Sequence, residues 1–335
     1  MTKTITPRSK GLARRKFIQL SAGAAALPFV SGKAWAQVYP ARTITLVVFT
    51  PAGAIPDIIG RLIGEGLSQR LGKPVIIENR PGAGGLLAMQ AVARAPADGY
   101  TLLLLASGHT VAVSLYPDNP VTISRDVAPI ASLNRDAFVL LVNPSSPIKS
   151  LAEFIAYAKA NPGKVNLASN GTGNIPHLAG ELFRMTAGID TLHVPYRGTP
   201  AAFAALMGGE VHALFDTAGA SLPLVQSGTL RALAVTSAQR RSSMPDVPTI
   251  GETLPGYDVI GWLGIGAPRD TSTEIVQRLN REINAVLADP TIKTRMTEFG
   301  SDQFVSESPG EFAKFLVEDA DKWGKVVKAS GLKMK

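Results

Sequence analysis

The chain has no cysteine. That excludes a disulfide scaffold, a lipid-modified cysteine anchor and any thiolate metal site. Past the N-terminal region it also lacks an apolar stretch of the ~20 residues a membrane span requires. Acidic residues are missing from positions 1–36, which hold Lys3, Arg8, Lys10, Arg14, Arg15, Lys16 and Lys33, so seven of the eight net positive charges fall there. A nucleic-acid binder keeps its basic patch in the folded part, so no nucleic-acid partner is expected. Catalytic signatures are missing too. There is no Gly-x-Ser-x-Gly elbow. His109, His177, His193 and His212 show no zinc-site spacing with carboxylates, and no carboxylate pair stands out for glycoside hydrolysis. The expectation is a protein that is not an enzyme, with no catalytic residue, metal or cofactor.

What is present at the N-terminus reads as an export leader. A basic start precedes a short apolar run, Phe17 to Val30, and Ala34-Trp35-Ala36 fits a small-x-small cleavage site before Gln37. Arg14-Arg15-Lys16-Phe17-Ile18 is similar to a twin-arginine signal. The mature chain is then expected to be a soluble periplasmic protein. The remaining length suffices for two domains of ordinary size.

The stretch Ile44–Gly72 organises that mature chain. Ile44 to Phe49 is apolar and β-branched, Thr50 to Asp57 breaks it, and Ile58, Ile59, Leu62, Ile63, Leu67 and Leu71 recur at helical spacing up to Gly72. A strand entering a helix through a small-residue turn aims unpartnered N–H groups at that turn, where the helix dipole is positive. Strands at 74–78 and 100–106 and a helix at 86–94 continue the alternation of a parallel sheet with covering helices. Ser107 follows the third strand and falls on the same sheet edge, where ligands of open α/β sheets collect.

A second unit repeats the pattern. Val165 to Ser169 is a strand, Asn170-Gly171-Thr172-Gly173-Asn174 a glycine turn, and a helix starts near Pro176. Strands at 127–133, 138–142, 191–194, 211–215 and 230–235 are expected, with Asp216 ending one of them. Asn143 to Pro147 reads as a crossover, residues 238–255 as the return, and 260–267 as a return strand. The expected division is a leader over 1–36, one lobe from 37–138 plus 255–335, and a second lobe from 139–254. Two crossovers make a two-segment hinge that lets lobes close on a ligand. Thr50, Ala52, Gly53, Asp57, Ser107, Ser169, Asn170, Gly171, Thr172, Gly173 and Asp216 are the candidate ligand-binding residues. The two turns are expected to face each other and hold a small carboxylate.

Several blocks together carry a resemblance. They are Tyr39-Pro40, Pro51-Ala52-Gly53 with Asp57, Val75 to Gly85, Asp98-Gly99-Tyr100-Thr101-Leu102, His193-Val194-Pro195-Tyr196, Leu230 to Thr236 and Leu254-Pro255-Gly256-Tyr257. From about Tyr39 to the C-terminus the chain resembles the substrate-binding proteins of tripartite tricarboxylate transporters, the Bug (TctC-like) family. The resemblance implies an α/β, two-lobe periplasmic binding protein of type II-like form, each lobe a mainly parallel sheet covered by helices. It also implies closure on a small organic acid held by backbone N–H groups and waters of the loops at 50–57 and 169–173, and delivery to membrane transporter subunits by a monomer. Ala54 and Pro56 stand where members usually have a second glycine and a threonine, and Pro56 has no N–H to donate. Mono- and dicarboxylates, aromatic acids and amino acids all remain open as ligands. A receptor feeding a sensor kinase without transport, and a periplasmic hydrolase or isomerase, are the alternatives.

Overall fold

A computed structural model describes residues 39–116 and 118–332, with Met1, Thr2 and Thr4. The expected export signal and its cleavage site lie outside the described residues.

The organising stretch folds as its pattern dictates. Ile44–Val48 (β1) is a buried strand, and Ile55–Leu71 (α1) follows the turn. Pro56 sits in the first turn of α1, where its missing N–H costs nothing, and Gly72 ends the helix in the left-handed region at φ 66°. Ile59, Leu62, Ile63 and Leu67 form the buried face. The chain continues through Val75–Asn79 (β2), Leu86–Ala93 (α2), Thr101–Ala106 (β3), Ser107–Leu115 (α3), Ile123–Asp126 (α4) and Val127–Val142 (β4). Leu151–Ala160 (α5), Val165–Ser169 (β5), Ile175–Ala187 (α6), Thr191–Pro195 (β6), Thr199–Met207 (α7), Ala213–Thr217 (β7), Ala218–Gln226 (α8) and Arg231–Val235 (β8) follow. Ile260–Pro268 (β9), Thr273–Ala288 (α9), Pro290–Glu298 (α10) and Pro309–Ser330 (α11) close the chain.

The strands run in the order β2-β1-β3-β9-β4-β7-β5-β6, with β8 also on β4. β1 is parallel to β2 and β3, and β5 is parallel to β6 and β7. β4 and β9 run antiparallel to their neighbours in the middle. The α/β class with a parallel group at each end therefore holds.

Three features differ from the sequence expectation and border one place. The strands expected at 127–133 and 138–142 are one 16-residue strand, β4, which leaves β9 and joins β7 between Ala137 and Phe138. The passage from one parallel group to the other is thus made inside a strand, ahead of Asn143–Pro147. Polar Asn134, Arg135 and Asp136 suggest a break, but they stay paired to β9, with register shifts at Pro129/Ala131 and Ser132/Asn134. α3 and α8 are helices that the sequence reading does not assign. Neither has a cap residue that serves it, and α8 contains Pro223. All three features border the cavity described below.

Apolar packing fixes the two parallel groups. Val47, Leu103, Leu105, Trp262 and Phe312 form one buried cluster; Leu140, Phe154, Phe183, Phe215 and Tyr257 belong to another. Trp323 of α11 is fully buried in the second cluster, so the last helix spans from one core to the other. Burying each such side chain contributes ~1.5–3 kcal/mol.

Candidate functional site

A cavity of about 510 Å³ lies between the two parallel groups. Its walls are mainly apolar, with Phe49, Ile59, Phe138, Trp262 and Phe299 among them. Asp136 is the one ionisable side chain among the described residues that line it.

Four helices begin at this cavity. Ile55 and Pro56 open α1, Ser107 opens α3, Thr199 and Pro200 open α7, and Gly219 and Ala220 lie in the first turn of α8; all seven line it. At none of these helices does the N-cap side chain accept a bond from the first turn: the capping positions are Ala54, Ala106, Gly198 and Thr217, although at α3 His109 Nδ1 accepts the Ala106 N–H at 3.0 Å. Helices α5, α6, α9, α10 and α11 differ. Ser150, Asn174, Ser272, Asp289 and Ser308 each cap their own first turn. An uncapped N-terminus leaves N–H donors open and carries a partial positive charge of about +0.5. Such starts attract anions to this wall without lysine or arginine, though Pro56 and Pro200, the second residues of α1 and α7, have no N–H to donate.

Asp216 organises part of that wall from behind. It is fully buried in β7 and accepts bonds from Thr217 N at 2.7 Å, Thr199 Oγ1 at 3.2 Å, Thr217 Oγ1 at 3.3 Å and Asn170 Nδ2 at 3.4 Å. Burial raises its pKa above the usual carboxylate range, and these donors offset only part of that rise. Thr199, Thr217 and Asn170 all face the cavity, whereas Asp216 does not.

A second hollow of about 380 Å³ adjoins through Phe49. Thr50 and Pro51 of the first turn and Thr172, Gly173 and Asn174 of the second both line it. The expected facing of the two turns is therefore present. The way their amides are used is not as expected. Gly53 N donates to Asp57 Oδ2 at 2.8 Å, and Ala54 N to Pro51 O at 3.3 Å. Gly171 N donates to Ser169 Oγ at 3.3 Å, and Gly173 N to His177 Nδ1 at 3.0 Å. Four turn amides are thus taken within the protein.

Asp57 is a framework residue of the first turn. It is buried, stands at the third position of α1, and accepts from Gly53 N, from Arg61 Nε and a terminal guanidinium nitrogen at 3.0 Å each, and from Asn79 Nδ2 at 2.8 Å. Burial raises its pKa, but the Arg61, Gly53 and Asn79 bonds together hold it below the usual range. The N-cap position of α1 is held by Ala54. Ala52 and Gly53 are exposed and line neither hollow. Ser169 is buried behind the second turn, its Oγ 2.7 Å from His193 Nε2 and donating to Gly171 O at 2.8 Å. Gly171 lines neither hollow.

Of the candidate residues, then, Ser107 and Asn170 line the larger cavity and Thr50, Thr172 and Gly173 the smaller one. Ala52, Gly53, Asp57, Ser169, Gly171 and Asp216 shape or flank the walls. Sequence reading missed Thr199, Thr217, Gly219 and the Phe299–Ser301 loop. The signal for the first three was available: a strand followed by small residues recurs at Asp216-Thr217-Ala218-Gly219-Ala220, and Gly198-Thr199-Pro200 is a helix start.

Residues 59–332 match the family model described as the tripartite tricarboxylate transporter family receptor. The chain belongs to this family. The matched range starts just after the first turn. Protein BugT of Bordetella pertussis is 36% identical over 90% of this chain and 93% of its own length. A solved R. palustris protein with adipate is 34% identical, covers 88% of this chain and 99% of its own, and superposes with a TM-score of 0.76. MatC from Rhodopseudomonas palustris with bound malate is 33% identical over 86% of this chain and all of its own, with a TM-score of 0.72. The receptor-family fold is therefore that of a two-lobe binding protein of the periplasm, and the cavity lies where strands of both groups and four helix starts converge. Among the described residues no helix is long and apolar enough to cross a membrane, and no group of three metal-ligating side chains occurs.

Proposed function

We propose that the protein is an exported, periplasmic receptor that binds a small organic carboxylate without turning it over and delivers it to a tripartite tricarboxylate-type transporter. The observation that carries this reading is the convergence of four uncapped helix starts on one largely apolar cavity. Burying a carboxylate without partners costs several kcal/mol, and these open N–H groups supply partners where no side-chain cation does. The apolar remainder of the cavity suits the carbon body of an organic acid. That adipate and malate sit in solved relatives agrees with the class of ligand.

The lobes would be residues 37–138 with 255–335, and 139–254, closing about β4 and β9. Closure follows only if the ligand binds the closed form better, since equal affinity for both forms shifts nothing. Asp57 and Asp216 act as positioning residues for the two halves of the wall. Residues 1–36 serve as the leader, and N-terminal sequencing of periplasmic protein should begin near Gln37.

Calorimetry on the mature protein with organic acids and their primary amides tests the reading. A carboxylate should bind at least ~10-fold tighter than its amide, a difference of ~1.4 kcal/mol. Equal binding of acid and amide, or release of a chemically altered acid, would overturn it.

A further inference from the structure

Asp136 lines the cavity, yet a receptor for acids gains nothing from a carboxylate in its wall. Its surroundings explain what it is for. Asp136 lies on β4 opposite Gly261 of β9, at the seam between the two parallel groups. Asn134 Nδ2 donates to its Oδ2 at 2.6 Å, and Arg241 approaches its Oδ1 at 3.4 Å. The same Arg241 guanidinium makes a much closer ion pair with Asp302. Arg241 is buried, with only 4% of its side chain exposed, and among the described residues these two are its carboxylate partners. One cation is thus shared by two carboxylates; burial raises the Asp136 pKa to about 6, so above that pH the trio carries a net charge of about −1. Asp302 does not line the cavity; Asp136 does, with 21% of its side chain open. The uncompensated charge is therefore presented to the ligand.

We propose that Asp136 sets specificity: the cavity takes an acid with a single carboxylate and, at a distance along its carbon chain, an ammonium group that meets Asp136, and it rejects a second carboxylate there. This rests on the receptor reading above and deepens it. Like charges in a low-dielectric wall repel strongly, whereas a cation beside Asp136 brings the trio Asp136, Arg241 and Asp302 to neutrality. The helix starts hold the carboxylate, the apolar walls hold the chain, and Asp136 reads the far end. Specificity built this way uses a repulsive element as well as an attractive one.

The test uses three pairs of matched length: 4-aminobutanoate with succinate, 5-aminopentanoate with glutarate, and 6-aminohexanoate with adipate. Calorimetry on the mature protein should show at least one amino acid binding ~10-fold or more tighter than its diacid. Asp136→Asn should cut that ratio by ~10-fold or more. Asp302→Asn, which gives Arg241 wholly to Asp136 without altering a lining residue, should shift the ratio in the same direction. It serves as the second variant if Asp136→Asn does not fold. A diacid that binds as tightly as its partner in all three pairs overturns the specificity assignment and leaves the receptor reading standing. A ratio unmoved by both variants does the same. Failure of every acid to bind sinks both readings together.

Discussion

Gly219→Ala sets two effects of opposite sign against each other. Gly219 is the second residue of α8, and alanine is favoured over glycine in a helix by up to about 1 kcal/mol. By propensity alone the substitution stabilises. The structure says otherwise. A Cβ at position 219 would lie 2.1 Å from Gly300 Cα and 3.0 Å from its carbonyl carbon and oxygen. Carbon atoms in contact need ~3.5–4.0 Å, so the helix start and the Phe299–Ser301 loop must part by more than ~1 Å. Both obstacles are backbone, with no flexible side-chain tip to swing aside. Overpacking of this kind costs ~1–3 kcal/mol. The net expectation is a loss of ~1–2 kcal/mol in urea unfolding, or several degrees in melting temperature. Gly324→Ala in α11 is the control. Its Cβ would meet only Ser114 Oγ at 3.3 Å, a hydroxyl that can rotate, so that variant should be neutral or slightly stabilising. Gly219 and Gly300 both line the cavity, so affinity for the bound acid should fall by ~10-fold as well. If Gly219→Ala gains stability as its control does, the backbone contact is not as described and the geometry of this wall is refuted.

Two further outcomes follow from the wall's supports. Asp57→Ala leaves the Gly53 amide without its acceptor, removes one of the two bonds that Asn79 Nδ2 donates, and leaves Arg61 without its carboxylate; a cost of at least ~2 kcal/mol is expected in urea unfolding, and a loss below ~0.5 would contradict the network. His109, His177 and His193 are each held down to about 4, chiefly by burial. The unfolded chain takes these protons near pH 6.5 and the folded one only near 4, so stability is full above pH 6.5 and declines as the pH falls between the two values. For fully buried His109 the slope is about 1.4 kcal/mol per pH unit. A melting temperature that is flat from pH 6.5 to 4.5 would count against the neutral, buried state of these rings.

The elements that sequence reading found were those that carry their own signals. α1 has a periodic apolar face and a glycine stop, and α11 has Ser308 and Glu311 in a reciprocal cap. The elements it missed, α3 and α8, lack those signals because of where they start. A side-chain cap on either would occupy donors that the cavity leaves open. The polar run Asn134-Arg135-Asp136 misled for a similar reason. It is strand by pairing, but Asn134 and Asp136 line the cavity and Arg135 pairs with Glu307 and lies over the Phe315 ring, so none of the three side chains shows a strand's apolar pattern. The glycine turns were located correctly and given too direct a role, because hydrogen bonds from Gly53 to Asp57 and from Gly173 to His177 depend on side chains whose direction spacing does not fix.

β4 runs unbroken from one parallel group into the other, and β9 is bonded along its first stretch. Two loose linkers would let the halves swing like doors on string. A hydrogen-bonded ribbon acts as a leaf spring: it flexes about one axis, resists twisting about the others and returns when released. On the proposed receptor reading, an acid that draws the halves together works against an elastic restoring force, and its release is helped by that same recoil.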